Sequence, residues 1–223
     1  MVLMVKHFCT LLLLLSAGAA APTPDYDVVV YGSSPAGISA ATAAATLGMK
    51  VALFEPLPMI GGMGAAGNLA LNDGGVDAER TGLARNFSLL NGAYYGLSPG
   101  VQCPHPESFV AESSFYTMLR KAGVHTIELN CRLLSAQPAP GAGSGKAAAG
   151  GAVGSIRVMC KNTSVTATVF IDASYDGEIM TSLNNIEYTA GREAMAQYNE
   201  SLAGARIPSF AGVGGPKVSG YST

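Results

Sequence analysis

The chain alternates between short β-branched apolar runs and stretches of helical period. "DVVVY", Asp27 to Tyr31, is apolar at successive positions and bounded by turn residues, which predicts a strand buried on both faces and central in its sheet. From Pro35 to Leu47 the residues are small or favour helix, Pro35 suits a first turn, and Gly48 suits a stop. "KVALFE", Lys50 to Glu55, predicts a second strand. Strand, helix and strand within about 30 residues make a βαβ unit, whose two strands run parallel.

Further along, Ala111, Phe115, Met118, Leu119 and Ala122 recur as a core-facing stripe and predict a helix between Pro106 and Gly123. "VHTIEL", Val124 to Leu129, predicts the next strand. "SIRVMC" and "VTATVFIDA" flank a turn at Lys161 to Ser164 and predict a β-hairpin. Pro56 to Gly75 is glycine-rich and predicts an ordered loop that lets backbone approach a ligand or another strand. Residues 137–154 lack large apolar side chains and predict a mobile surface loop, whereas Gly191 to Ala203 predicts a polar-faced helix. Residues 205–223 read as an irregular glycine-rich tail. The fold class is α/β: a Rossmann-like parallel sheet carrying the βαβ unit, with a β-hairpin and helical insertions.

Hydropathy is not uniform. Lys6 and His7 precede the apolar run Phe8 to Ala21, which is shorter than the roughly 20 residues of a membrane span and contains small residues at Ala17 to Ala19. Residues 1–19 therefore read as a signal peptide, and the expected location is the secretory pathway and the cell exterior, with no stable membrane span after cleavage. Of the four cysteines, Cys9 lies in this leader, so Cys103, Cys131 and Cys160 allow at most one internal disulfide. Asn86, Asn162 and Asn199 each begin an Asn-x-Ser/Thr sequon. A net charge of −2 with 13% charged residues offers no basic stripe, so no nucleic-acid partner is expected, and no cysteine spacing suggests a metal. The oligomeric state is not legible.

The chemistry begins at "YGSSPAGIS", Tyr31 to Ser39, between the first strand and the first helix. Gly32 suits the tight turn and Gly37 a close helix-to-strand approach, while Ser34 stands where a dinucleotide turn has its middle glycine. The Ser34 hydroxyl is a potential phosphate donor, and the helix N-terminus offers free N–H groups to an anion. Glu55 ends the second strand, about 20 residues on, where a carboxylate accepts hydrogen bonds from adenosine ribose. "DASYDG", Asp172 to Gly177, has the first positions of a calcium loop but Leu183 where the loop needs Glu, so turn and capping roles are favoured and no metal is assigned. His105 and His125 lie near no nucleophile signature, and Tyr94 and Tyr95 read as packing or as a pair facing a bound ligand or substrate. No catalytic residue is named.

The segment "DVVVYGSSPAGISAATAAATLGMKVALFEPLPMIGGMGAAG" resembles the opening of FAD-dependent oxidoreductases of the glutathione-reductase-like superfamily. The likeness sharpens toward the FAD-dependent oxidoreductase family in "GGMGAAGNLALNDGG", "PESFVAESSFYTMLRKAGV", "VFIDASYDGEI" and "YTAGREAMAQYNESLAG". It implies an FAD-binding domain over residues 26–204 and transfer of hydride or electrons from an unknown small-molecule substrate through flavin. It places Gly32, Ser33, Ser34, Pro35, Ala36 and Gly37 around the pyrophosphate and Glu55 on the ribose. Gly61, Gly62 and Met63 would lie along the cofactor toward flavin, with Leu133 and Ala173 on the adenine side. The family usually reads "DATGDG" where this chain has Tyr175 in place of a glycine. Members of the family are longer, so the resemblance also leaves open a fragment lacking the C-terminal part of the fold, inactive and binding at best the ADP half of FAD. A nucleotide-binding module without redox chemistry is a third reading.

Overall fold

The computed structural model describes residues 23–65, 67, 80–138, 153–183, 196 and 199. The leader, residues 205–223 and nearly all of the helix expected at Gly191 to Ala203 lie outside them. The elements run β1 (Tyr26–Tyr31), α1 (Pro35–Thr46), β2 (Val51–Phe54), α2 (Gly82–Tyr94), α3 (Ser108–Ala122), β3 (Thr126–Glu128), β4 (Leu133–Pro138), β5 (Val153–Val158), β6 (Val165–Asp172) and α4 (Glu178–Ser182). A single 3-10 turn at Gly62–Gly64 follows β2.

The strands form one six-stranded sheet in the order β3-β2-β1-β6-β5-β4. β1 pairs in parallel with β2 and with β6, and β2 in parallel with β3, so β1 is central, as its unbroken apolar run predicts. β4, β5 and the start of β6 pair antiparallel. The βαβ unit and the hairpin both stand where the periodicity placed them.

The alternation of β1 divides the core. Val28 and Val30 pack with Ile38, Ala41, Val51, Leu53, Phe115, Met118 and Leu119 on the face covered by α1 and α3. Val29 and Tyr31 point the other way, onto Ala52, Phe54, Ile156, Val158 and Val165. In α1 the buried residues Gly37, Ile38, Ala41, Thr42 and Ala45 form one stripe, and the small Gly37, Ala41 and Ala45 let the helix lie close on the sheet.

Three features differ from the sequence expectation. The loop expected over residues 137–154 is shorter among the described residues, because Gln137 and Pro138 belong to β4 and Val153 and Gly154 to β5. β4 escaped notice because it is a partly exposed strand whose stability comes from pairing with β5, a long-range term that leaves no strong apolar period. Helix α2 also went unread, although Leu83, Phe87 and Leu90 have helical spacing and pack on the α1 and α3 core. Its two asparagines and two glycines dilute that signal.

Candidate functional site

The C-terminal ends of the parallel strands β1, β2 and β6 converge on the turn after β1, where open α/β sheets bind ligands. Gly32 has φ +91°, and a Cβ there would lie 2.7 Å from Ser174 N and 2.8 Å from the Ala173 carbonyl. A Cβ on Gly37 would lie 2.2 Å from the Gly32 oxygen and 2.8 Å from the Ala173 Cβ. No larger side chain fits at either position, so β1, α1 and the end of β6 meet through backbone. Gly32 N–H donates to Phe54 O at 2.8 Å, and Ala173 N–H to Tyr31 O at 2.8 Å, which fixes the turn from both sides.

The two serines of the turn are engaged within the protein. Ser34 is the N-cap of α1: its hydroxyl accepts the Gly37 N–H at 3.3 Å and donates to Ala173 O at 2.9 Å. Its proton is thus directed at β6 rather than held out toward a phosphate. The Ser34 and Ala36 N–H groups have no protein partner among the described residues, and Pro35 between them has no N–H. Helix geometry aims these donors along the axis, toward the position of an anion.

Ser33 is buried with Glu55. Glu55 Oε2 accepts the Ser33 N–H at 2.6 Å and the Ser33 hydroxyl at 2.5 Å, and Oε1 accepts the Leu57 N–H at 2.8 Å. A carboxylate has about four lone-pair sites, so these three bonds leave acceptor capacity for a ribose hydroxyl. The Glu55 backbone is clamped as well: its N–H donates to Glu128 O and its O accepts the Cys131 N–H, both at 2.8 Å.

Gly61 and Gly62 take φ +102° and +54°, and the Gly61 N–H donates to Ser33 O at 2.9 Å, which brings the turn after β2 against the turn after β1. A Cβ on Gly61 would lie 2.5 Å from the Ala65 Cβ and 3.0 Å from the Phe115 ring. Met63 lies exposed beyond them, and its N–H donates to the Tyr175 hydroxyl at 2.8 Å. Backbone contacts and hydrogen bonds therefore bring the turn after β1 (Gly32 to Gly37), Glu55, the turn at Gly61 to Met63 and Ala173 against one another. Leu133 stands apart at the start of β4, where its N–H donates to the Tyr31 hydroxyl at 2.8 Å.

The sequence marks Tyr31 only as the end of the first strand. Tyr31 is fully buried, and its hydroxyl donates to Glu178 Oε2 at 2.6 Å while accepting from Leu133, which ties β1 to β4 and α4. Burial first, and then donation to the Glu178 carboxylate, push this phenol well above its ordinary pKa of 10, so it stays a proton donor at neutral pH. A tyrosine ending an apolar strand was the available signal, since a buried hydroxyl needs partners.

Asp172 takes the turn and capping role favoured over calcium. Its Oδ1 accepts the Ser174 N–H and hydroxyl, and its Oδ2 accepts the Ile179 and Met180 N–H groups at the start of α4. Elsewhere, Cys131 and Cys160 form a disulfide and Cys103 is free. Tyr94 packs edge-on against Tyr95 and Phe109.

A cavity of about 230 Å³ opens beside the first turns of α1. Pro35, Ser39 and Gly64 form its side at the α1 N-terminus, Leu83, Phe87, Phe115 and Met118 line it with apolar surface, and Arg80 is its charged residue.

The fit to FAD rests on these features: glycines at which a Cβ would collide, free N–H groups at a helix N-terminus, and a buried carboxylate at the end of the second strand. Comparison with known proteins agrees. Residues 27–222 match the family described as FAD dependent oxidoreductase. The chain is 47% identical over 66 residues to a fumarate reductase (cytochrome) of Shewanella frigidimarina, a stretch covering 30% of this chain and 11% of that protein. The chain thus spans about a tenth of the length of that curated relative. Similar solved structures include THI4 of Thermovibrio ammonificans, with 18% identity, a TM-score of 0.44, and coverage of 70% of this chain and 60% of that one. Another is a geranylgeranyl bacteriochlorophyll reductase-like protein of Thermoplasma acidophilum, with 21% identity, a TM-score of 0.43, and coverage of 73% and 43%. On the family match over nearly its whole length, the chain belongs to the FAD dependent oxidoreductase family, and its cofactor is FAD.

Proposed function

We propose that this chain is the cofactor-binding part of an oxidoreductase acting on a small organic molecule. The observation that carries the reading is the meeting of the α1 N-terminus, the two glycine turns and Glu55. Bound FAD supplies hydride or electron-pair transfer. The Ser34 and Ala36 N–H groups would hold the pyrophosphate, Glu55 would hold the ribose, and Gly61 to Met63 would border the remainder on the side of the cavity. The apolar walls of that cavity exclude water, and Arg80 favours a substrate with an anionic group.

Purified chain supplied with FAD and freed of excess cofactor should retain a flavin absorbance spectrum. Folded protein that retains no flavin overturns the reading. Glu55→Gln should weaken retention by roughly tenfold, because a neutral amide both accepts ribose hydroxyls less well and disturbs the Ser33 bonds.

We also propose a secretory location. Support comes from the Cys131–Cys160 disulfide, which persists in oxidising compartments, and from the exposure of Asn86, Asn162 and Asn199. No helix among the described residues is long and apolar enough to cross a membrane. Mass loss on treating the protein from secretory cells with an endoglycosidase is expected; an unmodified intact mass overturns the glycan assignment.

A further inference from the structure

The phenol of Tyr175 stands where the two cofactor-side turns meet. Its hydroxyl accepts the Met63 N–H at 2.8 Å, which ties the turn between β6 and α4 to the Gly61 to Met63 turn. A Cβ built on Gly62 would lie 2.3 Å from Tyr175 Oη, 3.1 Å from its Cζ and 3.2 Å from the Ser34 Cα. The phenol tip, Gly62 and Ser34 therefore converge at the N-terminal end of α1, where backbone N–H groups favour phosphate.

The backbone beneath Tyr175 is held, but the ring is accessible. Ser174 is bonded to Asp172 through its N–H and its hydroxyl, and the Ser174 hydroxyl accepts the Glu178 N–H at 2.9 Å. Tyr175 itself is 60% exposed, and Met63 opposite it is 48% exposed. Exposed side chains change rotamer within picoseconds to nanoseconds, so the ring can leave without the turn moving.

We propose that Tyr175 is a latch on the FAD path. The bond from Met63 N–H to the phenol spans the route of the pyrophosphate and flavin, and it opens to admit them, whereas the Glu55 carboxylate on the adenosine side bonds Ser33 and Leu57 and not Tyr175. The proposal rests on the cofactor reading above. It divides FAD binding into an adenosine part governed by Glu55 and a part beyond the first phosphate governed by Tyr175.

The wild type, Tyr175→Phe and Tyr175→Gly are compared by stopped-flow quenching of flavin fluorescence on mixing with FAD, and by calorimetric titration with AMP. Circular dichroism and thermal melting establish that all three fold. Tyr175→Phe, which removes the acceptor of the Met63 bond, should accelerate FAD association by about two- to tenfold, the worth of one hydrogen bond. Tyr175→Gly should accelerate it at least as much, and AMP affinity should stay within about twofold of the wild type. FAD association that is unchanged or slower in both variants overturns the latch. So does an AMP effect as large as the FAD effect. Failure of all three folded proteins to bind FAD overturns the cofactor reading and the latch with it, a result distinct from bound FAD with unaltered kinetics.

Discussion

Ser33 donates both its backbone N–H and its hydroxyl to one oxygen of Glu55, at 2.6 and 2.5 Å, with both residues buried. The glycine turn and the end of the second strand are therefore one unit, and the carboxylate is aimed before any ribose arrives. Pre-aimed groups lose less freedom on binding, which favours affinity. Ser33→Ala should lower stability by about 1 kcal/mol and adenosine nucleotide affinity by about fivefold. Urea denaturation and calorimetry with ADP check it, and lost stability with unaltered ADP affinity would restrict Ser33 to folding.

Gly37 and Gly48 separate close packing from backbone conformation. A Cβ on Gly37 would lie 2.2 Å from the Gly32 oxygen, so Gly37→Ala should push α1 off the sheet, cost about 2 kcal/mol or more and abolish flavin retention. Gly48 has open space around it but φ +82°, so Gly48→Ala should cost only about 1 kcal/mol and retain flavin. Thermal melts with and without FAD distinguish the two.

Tyr31→Phe keeps the ring but leaves the Glu178 carboxylate and the Leu133 N–H without their shared partner. The expected loss is about 1–3 kcal/mol, since the hydroxyl joins three elements in a half-buried network. Chemical denaturation measures it, and a stability equal to the wild type's would show that water replaces the hydroxyl without cost.

The Cys131–Cys160 disulfide closes a loop with a sequence separation of 29 residues. Chain entropy assigns such a closure about 3.5 kcal/mol, so Cys131→Ala with Cys160→Ala should lower the urea midpoint accordingly. Reductant should shift the wild type to the same midpoint and leave the double variant unmoved.

Asp25 links the start of β1 to β6 by accepting the Thr166 N–H at 2.9 Å and the Thr166 hydroxyl at 2.8 Å. The backbone bond first, and the hydroxyl bond after it, hold its carboxyl below the ordinary 3.8. A depressed folded pKa stabilises the protein above the unfolded value and loses that contribution as pH falls through the folded one. Wild type should exceed Asp25→Asn by less than about 1 kcal/mol at pH 7, because the group is exposed, and the difference should shrink below pH 4. Denaturation at several pH values tests the slope.

Much of the site was legible because its residues are neighbours in sequence. The βαβ unit brings Gly32, Gly37 and Glu55 together by local geometry alone, since a strand, a helix and a parallel strand have one productive arrangement. Ala173 and Tyr175 reach the turns after β1 and β2 only because β6 pairs beside β1, a contact between strands distant in sequence that no local pattern encodes. The serine hydroxyls show the same limit. Donor type could be read at Ser33 and Ser34, but the partner each takes depends on distant atoms, Glu55 Oε2 for one and Ala173 O for the other.

By itself the sequence determined the central strand, the helix packed on it, the glycines where no side chain fits and the acidic residue at the end of the second strand, because steric and periodic rules act over a few residues. Only the tertiary structure decided that β4 is a strand, that Cys131 pairs with Cys160, that Tyr31 joins three elements and that the Tyr175 hydroxyl meets the Met63 N–H. Those relationships depend on which surfaces the sheet order brings face to face, and that order is set by the packing of the whole core.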